Sequence, residues 1–174
     1  MSKTSDTSDE SDRSDKSDRS EMSDRSDESN MTYKPVRVLF LCVGNSCRSQ
    51  MAEALLRHSG GERFDVHSAG SIPVGVHPKT IRALAEIGID AGRQRSKHWS
   101  VYLNAPPFNY VVAVCNPETQ NCPIAPVKGE RLHWPFDDPF GIHGTDEEQM
   151  KVFRRVRDQI AERIRRFVHD VTGR

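Results

Sequence analysis

Two stretches of the chain, VRVLFLC (Val36–Cys42) and NYVVAVC (Asn109–Cys115), are almost continuously apolar and rich in β-branched and aromatic residues. A strand with one wet face alternates apolar and polar residues; a strand without that alternation is covered on both faces, as in the parallel sheets of layered α/β folds. Around these runs the apolar period becomes helical. SQMAEALLRHSG reads as a helix with Ser49 near its start, Met51, Leu55 and Leu56 on one face, and Gly60 as its stop. FDVHSAG (Phe64–Gly70) is a second strand, and HPKTIRALAEIGI is a helix with Pro78 in its first turn and Gly88 at its end. RLHWPF (Arg131–Phe136) supplies a fourth strand. A last helix carries Phe153, Val156, Ile160, Ile164, Phe167 and Val171 at spacings of three and four. The order predicts an α/β fold: a single-domain, open, parallel four-stranded sheet with helices on both faces. Ligands of such sheets bind beyond the carboxyl ends of the strands, and Cys42 and Cys115 each close a predicted strand at that edge.

The first 32 residues do not belong to this pattern. Serine recurs at every third position from Ser2 to Ser29, usually followed by an acid, and the segment has almost nothing apolar to bury. It is expected to be a disordered tail over residues 1–32, ahead of one domain over 33–174. Met31, just before TYKPVRVLF, is a second candidate start for the functional polypeptide. Residues 1–30 hold ten acidic and five basic residues out of 25 of each in the chain, so the body carries 20 basic against 15 acidic residues. That mild excess suits a small anionic substrate and is too weak to argue for nucleic acid. No run is long enough for a membrane span, and the N-terminus lacks the apolar stretch of a signal peptide, so the expected location is the cytoplasm. Thiols stay reduced there, which directs the four cysteines toward chemistry or metal ligation rather than structural bridges.

The most informative stretch is LCVGNSCRSQMAEALL, where a buried strand runs through a glycine-containing loop into a helix. Such a loop gathers backbone N–H groups at a helix N-terminus, a cradle for a tetrahedral oxyanion. Arg48, six positions after Cys42, adds a planar fork able to bind two oxygens. The same field stabilises a thiolate at the base of the loop, which makes Cys42 a candidate nucleophile. Gly44, Asn45, Ser46, Cys47, Arg48 and Ser49 are the candidate oxyanion-binding residues, with Asn45 and Ser49 placed to hold the loop and donate to the Cys42 sulfur. A zinc site of four cysteines fits poorly: the four residues between Cys42 and Cys47 are the upper limit of the usual knuckle, and the six between Cys115 and Cys122 exceed it. No metal is expected. The seven histidines form no ligand spacing with the cysteines and default to surface or capping roles, and FRRVRDQIAERIRRFVHD reads as a solvated helix face.

CVGNSCRS and the downstream FDDPFG resemble the low-molecular-weight protein tyrosine phosphatase superfamily, whose signature is C-x5-R-S with a late Asp-Pro. GNSCRSQMAE, CNPETQNCP and HWPFDDP resemble most closely its thioredoxin-coupled arsenate reductase branch, over roughly Val36 to Phe167. The resemblance implies a phosphatase-like fold, Cys42 as nucleophile, Arg48 as oxyanion-binding arginine and Asp138 as general acid, with Asp137 a solvated neighbour and Cys47 a packing residue. It implies an arsenate reductase in which Cys115 attacks the Cys42–arsenic adduct, arsenite leaves, and Cys122 moves the disulfide to Cys115–Cys122. Thioredoxin would then reset that bond. The implied ligand is arsenate, with phosphate and sulfate as competing oxyanions; no cofactor, nucleic acid or membrane is implied, and a monomer is expected. Pro117 and Pro123 bracket a polar segment able to rearrange. The superfamily's potassium-binding members use positions matching Asn45, Glu53, Ser68 and Lys97. A lysine where they have an aspartate predicts an ammonium in place of the cation, paired with Glu53, and no potassium requirement. A tyrosine phosphatase remains the alternative, since Cys42, Arg48 and Asp138 suffice for it. Against it stand a lone aromatic, Phe140, after the Asp-Pro and a Cys-x6-Cys pair that a phosphatase does not need.

Overall fold

The computed structural model describes residues 33–118 and 122–173. The expectation of a disordered tail over 1–32 falls outside the described residues, as does part of the segment between Pro117 and Pro123. The elements run β1 (Val36–Cys42), α1 (Arg48–Gly60), β2 (Phe64–Gly70), α2 (Pro78–Ala85), β3 (Tyr110–Ala113), β4 (Glu130–His133) and α3 (Asp146–Thr172), with 3-10 turns at Gly61–Arg63 and Trp99–Tyr102. The four strands form one parallel sheet in the order β2-β1-β3-β4. The β1–β2 and β1–β3 pairings put the carboxyl ends of these three strands side by side, with Leu41 opposite Ala113 and Cys42 opposite Gly70.

The pleat of β1 explains its continuous apolar run. Val38, Phe40 and Cys42 face a core built with Met51 and Leu56 of α1, Leu84 of α2, and Phe153, Ile160 and Ile164 of α3. Leu39 and Leu41 face a smaller cluster with Ala69, Phe108, Val111, Ala125 and Val127. The α-helices thus supply the larger core, and the helix on the second face is the 3-10 turn Trp99–Tyr102, whose Trp99 and Tyr102 pack there with the neighbouring loops.

Local chemistry sets the element ends. α2 begins on His77, whose Nδ1 accepts from Lys79 N at 3.1 Å, and Pro78 fills the first helical position. It ends at Ala85, short of Gly88, which adopts a φ of 80° in the turn that follows. α3 opens with a capping box, Thr145 and Glu148 each bonding the other's backbone N–H. β3 stops at Ala113, two residues before Cys115, while Val114 N still donates to Leu41 O at 2.9 Å. β4 is shorter than its sequence pattern: after Trp134 N bonds Ala113 O at 2.8 Å, Pro135 has no N–H to continue the ladder. The arginine-rich face of α3 also departs from expectation at Arg157, which is buried, donates to Ala83 O at 2.7 Å and meets Asp158 at 2.8 Å, joining α3 to α2.

Candidate active site

The loop from Val43 to Cys47 is held by its carbonyls. Val43 O accepts from Ile72 N at 2.9 Å, Gly44 O from Val74 N at 3.1 Å, and Ser46 O from His77 N at 3.1 Å. Asn45 O accepts from Gln50 Nε2 at 3.1 Å and Cys47 O from Met51 N at 2.9 Å. In a planar trans peptide the N–H points opposite to the C=O, so pinning the carbonyls outward turns the following N–H groups of the loop to its other side. The first turn of α1 adds further donors, because its N-cap residue Cys47 makes no side-chain cap. Asn45 sits at φ 44°, a conformation asparagine tolerates better than most residues. Its Nδ2 donates to Ser49 Oγ and Ser68 Oγ, both at 2.9 Å, and its Oδ1 accepts from Lys97 N at 2.7 Å. Gly70 has to be glycine: a Cβ there would lie 2.4 Å from Val43 O and 2.8 Å from Asn45 N.

Cys42 and Ser49 meet at the bottom of this loop, with Sγ and Oγ 2.8 Å apart. The cavity above, about 180 Å³, is lined by Cys42, Gly44, Ser46, Cys47 and Arg48, and by Ile72, Val74, Asp138 and Phe140 at its rim. The Arg48 guanidinium is buried beneath it, donating to Asp138 Oδ2 at 2.7 Å and to Phe136 O at 3.2 Å. The two neighbouring acids are distinguished by direction. Asp138, with 20% of its side chain exposed, turns into the cavity, while Asp137, 63% exposed, turns toward Arg155 on α3 at 3.5 Å. Cys47 is buried, and burial pushes its thiol up to about 12 despite bonds from Thr80 and Ser46, so it stays protonated. It packs in the larger core and also lines the cavity.

Behind the loop, Ser68 Oγ donates to Glu53, and the Glu53 carboxylate also takes Arg57 at 2.6 Å and Lys97 Nζ at 3.7 Å. The expected pairing of Lys97 with Glu53 is therefore present, joined to Asn45 through Ser68. Among the described residues no group of three or more His, Cys, Asp or Glu side chains is arranged to hold a metal ion. No helix among them is long and apolar enough to cross a membrane.

Cys115 and Cys122 form a disulfide with Cα atoms 5.7 Å apart. Cys115 is fully buried just beyond β3, and Cys122 is partly exposed. They are not among the residues that line the cavity, so the structure brings Cys42, Arg48 and Asp138 together and sets Cys115 and Cys122 as a separate pair past the end of the neighbouring strand. Several contributors escaped the sequence reading: Gln50, Gly70, His77, Thr80 and His133. His77 shows the signal available, a histidine just before Pro at a helix start; its ring packs against Phe140 and Phe153 at 5.8 and 4.8 Å. Nothing in spacing points to His133, because strand pairing alone brings it beside the disulfide.

A parallel sheet whose first strand feeds a carbonyl-pinned loop, a cysteine at its base and an arginine at the next helix start defines the low-molecular-weight phosphatase class of oxyanion enzymes. The model of the low molecular weight phosphotyrosine protein phosphatase family matches residues 37–173, and the chain belongs to that family. An arsenate reductase from Halalkalibacterium halodurans is 47% identical over 130 residues, which cover 75% of this chain and 93% of that protein. The solved structure of an arsenate reductase in its phosphate binding state aligns with a TM-score of 0.65 at 31% identity, covering 77% of this chain and 97% of the other. A thioredoxin-dependent arsenate reductase from Corynebacterium glutamicum aligns with a TM-score of 0.57 at 28% identity, over 79% of this chain and 63% of that longer one.

Proposed function

We propose that this chain is an arsenate reductase that converts arsenate to arsenite through the thiols of Cys42, Cys115 and Cys122, with thioredoxin restoring the reduced state. The observation that carries the reading is the Cys115–Cys122 disulfide, formed just past the strand paired with the one that ends in Cys42. Arsenate has the shape and charge of phosphate and fits a cradle of loop N–H groups with the Arg48 fork, where it exchanges its oxygens for Asp138 on the guanidinium. The Cys42 thiolate attacks arsenic, and Asp138, freed from the guanidinium and protonated from solvent, gives that proton to the oxygen that departs as water. The Ser49 hydroxyl, 2.8 Å from Cys42 Sγ, steadies that sulfur. Cys115 then attacks Cys42 Sγ: the sulfur–sulfur bond forms, the electron pair of the sulfur–arsenic bond stays on arsenic, and arsenic(V) leaves as arsenite. Cys122 attacks Cys115, releasing Cys42 and leaving the Cys115–Cys122 bond for an external dithiol.

The electrons come from thiols, so the reading calls for no redox cofactor. It places the protein in a reducing compartment, the cytoplasm, acting as a monomer with thioredoxin and without nucleic acid or membrane partners. A phosphatase activity is the second reading. It is favoured by the shared first half of the mechanism and by the exposed Ile72, Val74 and Phe140 around the cavity. We expect it as a weak side activity. Arsenite production from arsenate with thioredoxin, thioredoxin reductase and NADPH, run beside para-nitrophenyl phosphate hydrolysis, tests the reading. Coupled arsenite production supports it, and phosphate ester hydrolysis without any arsenite overturns it.

A further inference from the structure

We infer that His133 holds Cys122 as a thiolate for the transfer of the disulfide from Cys42–Cys115 to Cys115–Cys122, an inference that rests on the relay proposed above. The imidazole Nε2 lies 2.8 Å from the carbonyl oxygen of Cys115 and 3.9 Å from Cys122 Sγ, and that sulfur is itself 3.4 Å from the same carbonyl. A carbonyl only accepts, so Nε2 carries the hydrogen. The N–H given to the carbonyl of one relay cysteine therefore also lies within reach of the sulfur of the other.

The fold fixes this arrangement from two sides. His133 pairs with Ala113 in the β3–β4 ladder, two residues before Cys115. Arg131, on the same face of β4, donates to Ala125 O and Val127 O at 2.6 and 2.7 Å, which ties the strand to the chain that leaves Cys122.

The step it serves balances without any outside reagent. The Cys122 thiol gives its proton to solvent. The resulting thiolate attacks Cys115 Sγ, the Cys115–Cys122 bond forms, and the Cys42–Cys115 bond breaks with its electron pair leaving on Cys42. The disulfide in the structure is the product of that attack, so the N–H is beside Cys122 Sγ at the end of the step, where charge has just left the sulfur. Run in reverse, with Cys42 attacking Cys115 and expelling Cys122, the same N–H receives the leaving thiolate. A hydrogen bond to a charged sulfur raises the thiolate fraction, while the lowered basicity gives back about half of that gain in nucleophilicity.

The test is one turnover of the reduced full chain with arsenate and no thioredoxin, quenched with acid, alkylated and mapped for disulfides. His133→Ala is expected to accumulate Cys42–Cys115 and to convert it roughly fivefold more slowly. Its arsenite burst keeps the wild-type rate, because arsenite leaves before Cys122 acts. His133→Gln, which keeps an N–H donor of similar reach, restores most of the conversion rate, a rescue that a packing role would not give. Conversion at the wild-type rate in His133→Ala, or a Gln variant as slow as Ala, overturns the inference. Cys122→Ser, run in parallel, separates the two levels. If it traps Cys42–Cys115 while His133→Ala is unimpaired, His133 alone falls; if it traps nothing, the relay falls and His133 with it.

Discussion

The loop after β1 and the loop after β3 leave the same edge of the sheet from paired strands, yet they are held in opposite ways. Between Val43 and Cys47 the carbonyls are bonded to the chain beyond β2, to α1 or to the start of α2, and Asn45 and Ser49 tie the interior. Beyond β3, the described contacts are local and include the disulfide, the His133 contact with Cys115 O, and Asn116 Oδ1 accepting from Glu118 N at 3.0 Å. The first arrangement is fixed by the protein's own bonds, the preorganisation that electrostatic binding of an oxyanion requires. The second depends on a covalent bond that the proposed chemistry makes and breaks. On this reading, rigidity belongs to the half of the mechanism shared with phosphatases, and rearrangement to the half that moves electrons.

Damage to the first loop is therefore expected to remove both activities together. Cys42→Ser abolishes arsenate reduction and phosphate ester hydrolysis alike, because a hydroxyl does not ionise there; residual turnover of either would place the nucleophile elsewhere. Asp138→Asn lowers both turnover rates by roughly 10²–10⁴, the usual range for a lost general acid, while phosphate still inhibits competitively. Asp137→Asn changes little, and a larger effect from Asp137 than from Asp138 would reverse the assignment. Gly70→Ala forces a methyl into Val43 O and Asn45 N and is expected to cost about 3 kcal/mol, read as a fall in the urea midpoint. An unchanged midpoint would show that the loop is less fixed than its bonds imply. The smallest effect belongs to Lys97: with its ammonium facing Glu53, exchanging sodium for potassium chloride at equal ionic strength should leave Tm and turnover unchanged. A clear potassium activation would mean that the lysine does not stand in for a cation.

The same contrast explains how much was legible in the sequence. The strands of the core and the Cys42 loop are written locally: the sequence pattern marks β1 and β2 to the residue, and Cys42, Arg48 and Ser49 stand within eight consecutive residues. The contact between Lys97 and Glu53 came from the family resemblance, since 44 positions separate them and no periodicity links them. Strand ends were less legible, because β4 stops where Pro135 removes a donor rather than where the apolar pattern ends. Arg157 looked solvated because charge runs usually are; its burial depends on the α2 carbonyl at Ala83, which only tertiary packing supplies. Gly70 and His133 were invisible for the same reason, each defined by a neighbour on another strand or loop.

The central claim, that one chain binds an oxyanion with one loop and reduces it with another, is tested most directly by Cys115→Ser assayed for both activities on the same preparation. Phosphate ester hydrolysis needs only Cys42, Arg48 and Asp138, whereas arsenite release needs the second thiol. The account predicts that thioredoxin-coupled arsenite production is lost while para-nitrophenyl phosphate hydrolysis persists. Arsenite production at the wild-type rate in this variant would contradict it.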